Sequence, residues 1–154
     1  MSSYAPGPLY KNPLARIAEA FQYDTVCADH GALRFFVSAT NVRSCKTREF
    51  DHNDICPEAI MATACLPTLF RAVEIFDPNT GRDEAYWDGG YTGNPALFPL
   101  FQGAFPSDIV VFNINPLHQK KLPISAQVIQ NLINEISFNS SLLRVLRAIE
   151  FVKR

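Results

Sequence analysis

The sequence predicts an α/β protein with a mixed sheet, on three observations. The segments "LRFFVSATNV" (33–42) and "DIVVFNINP" (108–116) are rich in β-branched and aromatic residues. Both are apolar on successive positions, as in a strand covered on both faces of a parallel sheet. Helical periodicities lie between and after them, separated by Pro/Asn/Gly turns. A strand buried on both faces needs neighbours at both edges. The chain offers few, so its sheet reads as short of strands.

In chain order, residues 1–11 are rich in Pro, Gly and Ser and read as a loose segment ahead of a domain over 12–154. "NPLARIAEAF" reads as a helix capped by Asn12, with Pro13 in its first turn and Leu14, Ile17, Ala18 and Phe21 on one face. After the strand over 33–42, "RSC" turns the chain and "KTREF" reads as a short paired strand. In "NDICPEAIMATACLPTLF", Asn53 or Asp54 is expected to cap a helix. Pro57 and Glu58 fit its first turn, and Ile60, Met61, Ala64 and Cys65 form its stripe. Pro67 is expected to stop it near Leu66. "AVEIF" and "EAYW" flank the turn "DPNTGRD", which makes a hairpin. "WDGGYTGNP" is then a glycine-rich loop, and "NPALFPLF" a short helix capped by Asn94. The tail reads as two helices, with stripes Ile124/Val128/Leu132/Ile136 and Leu142/Val145/Leu146/Ile149/Val152, separated by "SFNSS".

With 154 residues, 47% hydrophobic and 19% charged, the chain reads as one globular domain with a real core. A net charge of −1 gives no basic excess of the kind nucleic acid attracts. The N-terminal stretch has no signal-peptide core, and the longest apolar run, "AIMATACLP", is far short of a membrane span. A cytoplasmic protein is expected, and the four cysteines, Cys27, Cys45, Cys56 and Cys65, then read as free thiols. Their spacing with His30, His52 and His118 does not match a zinc site, and a metal-dependent hydrolase would need one.

The stretch "EAYWDGGYTGNP" (84–95) raises the question of chemistry. Asp-Gly and Gly-Gly are turn signals in any protein. On these letters alone a turn closing a strand is the first reading; the second is Asp88 as a general base, held within reach of the proton it removes, with Gly89 and Gly90 permitting positive φ and close approach. "VSATNV", "ATACLPTLF" and "VEI…YWDGG" follow one another in this order. The ordered set resembles the patatin-like phospholipase family, bacterial type, over roughly residues 12–154. "NPALFPL" resembles bacterial members as well. The resemblance implies the C-terminal portion of a three-layer α/β/α domain with a mixed, largely parallel sheet. It also implies Ser–Asp dyad acyl hydrolysis, needing no histidine and no cofactor, in which Asp88 of the D-G-G motif takes the serine proton directly. The substrate class implied is a phospholipid, neutral lipid or other acyl ester.

The sequence departs from that pattern at the nucleophile. The serines are at 2, 3, 38, 44, 107, 125, 137, 140 and 141, and none stands in G-x-S-x-G. The only Gly-Gly pair is the one beside Asp88, so no separate oxyanion loop is encoded. In the family both elements lie N-terminal to everything matched here. The expectation is therefore a portion of an acyl hydrolase, inactive alone, whose partner is the missing N-terminal half of the domain. The alternative is a non-catalytic binding module on the same fold, pairing through an open sheet edge. Ser38, mid-strand, reads as a core hydroxyl before a nucleophile, and Cys65 as a small packed hydrophobe before a reactive thiol. His30, His52 and His118 read as structural or solvated. Trp87, Phe98, Phe101 and Phe105 read as core, with an acyl-chain pocket as the second reading. Arg144, Arg147, Lys153 and Arg154 read as the solvated face of a packed helix, with peripheral membrane contact second.

Overall fold

The structure, a computed structural model, describes residues 10–28, 34–52, 54–101 and 108–152. The chain divides into two compact units, Met1–Gly89 and Gly90–Arg154. It is a mixed α and β protein, and none of its described helices is long and apolar enough to cross a membrane.

The first unit is built on a four-stranded sheet of β1 (Val37–Asn41), β2 (Thr47–Phe50), β3 (Val73–Asp77) and β4 (Arg82–Asp88), in the order β2-β1-β4-β3. Every ladder is antiparallel, with Val37 opposite Phe50, Ala39 opposite Asp88 and Val73 opposite Tyr86. This corrects the expectation of a largely parallel sheet. The connections 42–46 and 78–81 can only fold back as hairpins, because a parallel pair needs a crossover of about a dozen residues or more. The successive apolar residues that suggested a two-face-buried strand, Phe35 and Phe36, lie ahead of β1 and not in it. Within β3–β4 the turn is set by Asp77. Its carboxylate accepts the Asn79 N–H at 2.9 Å, its carbonyl accepts the Gly81 N–H at 2.8 Å, and Gly81 takes φ 69°.

Two short helices, α1 (Ala15–Ala18) and α2 (Tyr23–Ala28), precede the sheet. The expected longer helix over "NPLARIAEAF" is thus one turn. Asn12 still shapes its entry, accepting the Leu14 N–H on its side chain at 2.9 Å and the Ala15 N–H on its carbonyl at 3.0 Å. α3 (Pro57–Thr63) covers one face of the sheet. It begins after Cys56, with Pro57 at its start and Glu58 in its first turn, so Asp54 does not cap it, and Asn53 lies outside the described residues. Its buried residues are Ala59 and Ala62, followed by Cys65. The contact face is centred on these small side chains, which allow close approach; of the expected stripe, Cys65 is in the core, Ile60 and Met61 pack at its edge half-buried, and Ala64 is exposed. The core joins these to Ala39, Phe50, Ile55, Val73 and Tyr86. Phe50 and Tyr86 meet edge to face, 5.9 Å between centroids.

One end of that sheet face is polar. Arg48 donates to the Tyr86 hydroxyl at 2.9 Å and lies 3.7 Å from the Asp77 carboxylate. Glu84, buried, accepts from Arg82 at 2.6 Å and from the Asn41 amide at 3.4 Å. The Arg82 hydrogen bond is the main cause holding the Glu84 carboxyl below its ordinary range. For Asp77 the main cause is the Asn79 backbone N–H.

The second unit contains a 3₁₀ turn at Phe98–Phe101, an irregular segment over 108–124, and α4 (Ala126–Val152). The expected helix over "NPALFPLF" is only that 3₁₀ turn. Asn94 does not cap it, and its N–H donates to Ser141 Oγ at 3.2 Å instead. The two expected tail helices are one helix of 27 residues. "SFNSS" lies within it, and two of its polar side chains bond to chain outside the helix. Ser141 serves the loop at 92–94, and Asn139 donates its amide to the Pro116 carbonyl at 2.8 Å. The expected buried strand over 108–116 is the clearest departure. It is irregular and exposed, Val110 at 76%, Phe112 at 90% and Ile114 at 93%, and no strand among the described residues pairs with it.

Candidate functional site

Alternation along β4 sends Glu84, Tyr86 and Asp88 to one face and Ala85 and Trp87 to the other. Asp88 stands opposite the fully buried Ala39, so its side chain shares the face of Ala39 and Tyr86 that α3 covers. Asp88 itself is half-buried, at the C-terminal end of the strand. Its backbone is tied on both sides. The Asp88 N–H donates to the Cys65 carbonyl at 2.9 Å, and the Asp88 carbonyl accepts from Thr40 Oγ1 at 2.8 Å. The aspartate is thereby fixed to two different pieces of chain, the segment after α3 and the middle of β1.

Gly89 follows, buried, at the start of a 3₁₀ turn over Gly89–Tyr91. A Cβ here would fall inside contact distance of the Ser38 carbonyl oxygen, 2.5 Å from the Ser38 hydroxyl and 2.7 Å from its carbonyl carbon. The glycine is required because β1 backbone occupies the space a side chain would need. Positive φ is not the reason, since among the described glycines only Gly81 adopts it. Ser38 lies mid-strand in β1, opposite Glu49, with its hydroxyl turned against Gly89.

Cys65 is fully buried and its thiol donates to the Arg71 carbonyl at 2.9 Å. Burial, and after it the charge of Asp88, pushes this thiol up to about 11, so it stays protonated at neutral pH and packs as a hydrophobe.

Within the second unit, Gly90 is buried and the loop after it is held by α4. Tyr91 Oη donates to Asn134 Oδ1 at 2.6 Å and its ring meets Phe138 edge to face at 5.3 Å. Ser141 Oγ donates to the Thr92 carbonyl at 3.3 Å while accepting the Asn94 N–H. Asn134 and Ser141 are buried on a helix whose opposite side is apolar. Their role was not readable from the tail, where isolated polar residues on a helix resemble a solvated face. Thr40 was equally unmarked, although its place two residues after Ser38 put both on one side of β1.

The remaining candidates disperse. Trp87 is half-buried against the core of the first unit. Phe98 and Phe101 are exposed, contrary to the expected core role, because the 3₁₀ turn buries Leu97 and Pro99 instead. His52 is buried and His118 exposed, and Cys45 and Cys56 are free thiols. Arg144 and Arg147 are exposed on α4. His30, Phe105, Lys153 and Arg154 lie outside the described residues, as does the side chain of Cys27. No group of three His, Cys, Asp or Glu among the described residues is placed to hold a metal ion.

The arrangement therefore offers one carboxylate at the end of a pinned strand, followed by a glycine against a neighbouring backbone. That is the preorganisation a general base requires, without an elbow serine anywhere in the sequence. No family model, no curated protein and no solved structure matches the chain.

Proposed function

We propose that Asp88 is the general base of a Ser–Asp acyl hydrolase site whose serine and oxyanion donors belong to polypeptide outside these 154 residues. The observation that supports this most is the double tether of the Asp88 backbone, to Cys65 and to Thr40, at a strand end. A turn aspartate needs no such fixing. A base that must meet a serine hydroxyl held on separate polypeptide does, because a misplacement of about 1 Å can cost about a hundredfold in rate. The substrate class is an acyl ester, phospholipid or neutral lipid, and the chemistry requires no cofactor. The resemblance of the ordered motifs is the second support, and it also motivates the largely parallel sheet that the complete domain would have.

The chain alone is expected to hydrolyse no p-nitrophenyl butyrate. Combined with a polypeptide carrying a G-x-S-x-G elbow and its oxyanion loop, it is expected to turn over. Asp88→Asn should then lower the rate by about 10²–10⁴-fold, the usual contribution of a positioned general base. Esterase activity from the 154 residues alone, lost in Asp88→Asn, would overturn the assignment of the nucleophile to other polypeptide. The second reading, a non-catalytic interaction module, is favoured by the exposed apolar segment over 109–114. It predicts binding of the same polypeptide with no turnover.

A further inference from the structure

Beyond the end of α3, the same sheet face continues into a polar cavity of about 290 Å³, lined by Asn41, Lys46, Arg48, Asp54, Asp77 and Tyr86 among others. Sites for small molecules start at about 300 Å³. Strand alternation puts Asn41, Arg48, Tyr86 and Asp77 on one side of the sheet, and sends Glu49 with Ser38 to the other. The buried acids of this face are already matched. Glu84 lies 2.6 Å from Arg82 and 3.6 Å from Arg43. One Asp77 oxygen accepts the Asn79 N–H at 2.9 Å and the other the Tyr86 hydroxyl at 3.3 Å. Arg48 is only partly spent. Its side chain is 15% exposed, and one terminal nitrogen, Nη1, makes both its polar contacts, 2.9 Å to Tyr86 Oη and 3.7 Å to Asp77. A guanidinium carries its donors on a planar fork, and the edge formed by Nε and Nη2 has no partner among the described residues. Two positions earlier, Lys46 is exposed and makes no ion pair with a described residue.

We propose that this cavity binds a small oxyanion, a carboxylate or a phosphate, on the open edge of Arg48 and beside Lys46. A guanidinium edge matches two oxygens of one acid group, and charge-assisted bonds of this kind are the strong ones. The site is prebuilt. Tyr86 and Asp77 hold one side of the guanidinium and the Phe50 ring lies 4.6 Å from its carbon, so little side-chain freedom is lost on binding. A cation is the poorer occupant. Of the acids facing the cavity, Asp77 is already taken, which leaves Asp54, exposed and without an ion pair to a described residue. Asp54 opposes an anion and so gives the proposal a sign. Asp88 does not line the cavity, and binding here is separate from any role of that residue in hydrolysis.

The test follows the backbone amide resonances of the full 154-residue chain while sodium phosphate, sodium acetate or sodium chloride is added at constant ionic strength. Phosphate, acetate or both should move the resonances over 44–48 and 77–79 saturably, and whichever binds names the acid group. Chloride should not. Lys46→Gln removes an exposed cation that supports nothing else in the fold, and should weaken the binding about tenfold. Asp54→Asn removes the opposing charge and should tighten it about twofold or more. Arg48→Lys keeps the charge without the fork and should weaken binding at least as much as Lys46→Gln, with its urea midpoint read alongside because Arg48 also holds Tyr86. If Arg48→Lys does not fold, Lys46→Gln decides. No saturable shift with either oxyanion, an equal response to chloride, or unchanged affinity in Lys46→Gln each overturns the proposal. Weaker binding in Asp54→Asn overturns it too, by making the cavity a site for cationic or hydroxyl groups.

Discussion

Gly89 and Asp88 answer to different forces although they are adjacent. Gly89 is set by space, because Ser38 backbone stands where its Cβ would be. Gly89→Ala should therefore destabilise the first unit by about 1–3 kcal/mol, the usual cost of overpacking, read as a lower urea midpoint at unchanged slope. Ser38→Ala in the same chain should not restore the midpoint, since the carbonyl and not the hydroxyl is the nearer obstacle. Asp88 was legible as a candidate because an acid before two glycines is a conspicuous pattern. What pins it was not legible. Its two tethers come from residues 23 and 48 positions away in the chain, Cys65 and Thr40, and nothing local marks either one. The positive φ that the glycine pair suggested is likewise absent, because glycine permits two things, an unusual φ and a close neighbour, and sequence does not say which one is used.

Among the elements, those read correctly have local causes. The β3–β4 hairpin follows from Asp77, Asn79 and Gly81, and the start of α3 from Pro57 and Glu58. Those misread depend on distant partners. "SFNSS" has the composition of a helix break, yet Ser141 spends its hydroxyl on Thr92 and Asn94, and the helix runs through. The antiparallel pairing follows from connections too short for a crossover, whereas apolar runs carry no information on strand direction. The polar end of the sheet makes a prediction at this scale. Glu84 and Asp77 are both held below the ordinary carboxylate range in the fold. Their stabilisation is complete above the ordinary values of about 4 and is lost as pH falls through the folded ones. Glu84→Gln should thus lower the urea midpoint at pH 7, and its deficit against the parent chain should shrink as pH falls below about 4. A deficit independent of pH would mean that Glu84 acts through packing and not charge.

For the whole molecule the telling quantity is exposed apolar surface. Phe112 and Ile114 are almost fully open, and α4 leaves Ile129, Ile133 and Ile136 exposed along one side. Contiguous patches of this kind mark interaction surfaces in proteins that otherwise remain dispersed. The chain on its own should bind a hydrophobic dye and scatter light increasingly with concentration. Phe112→Ser with Ile114→Thr should reduce both while changing the unfolding midpoint by no more than about 0.5 kcal/mol, the range for surface positions. A loss of stability beyond that would place these residues in a core. The sequence reads 108–116 as a strand buried on both faces, whereas the segment is irregular and exposed, because no strand among the described residues pairs with it.

The close approach at Gly89 bears on how such chains are found and grouped. The glycine is held by the packing of one strand end against another, and that constraint operates whether or not a serine ever meets Asp88. A lineage that abandoned hydrolysis while keeping its fold would still eliminate every other amino acid at this position. Searches keyed to the D-G-G signature therefore gather chains by shared architecture. A match at the first glycine of that signature reports this packing constraint and not chemistry.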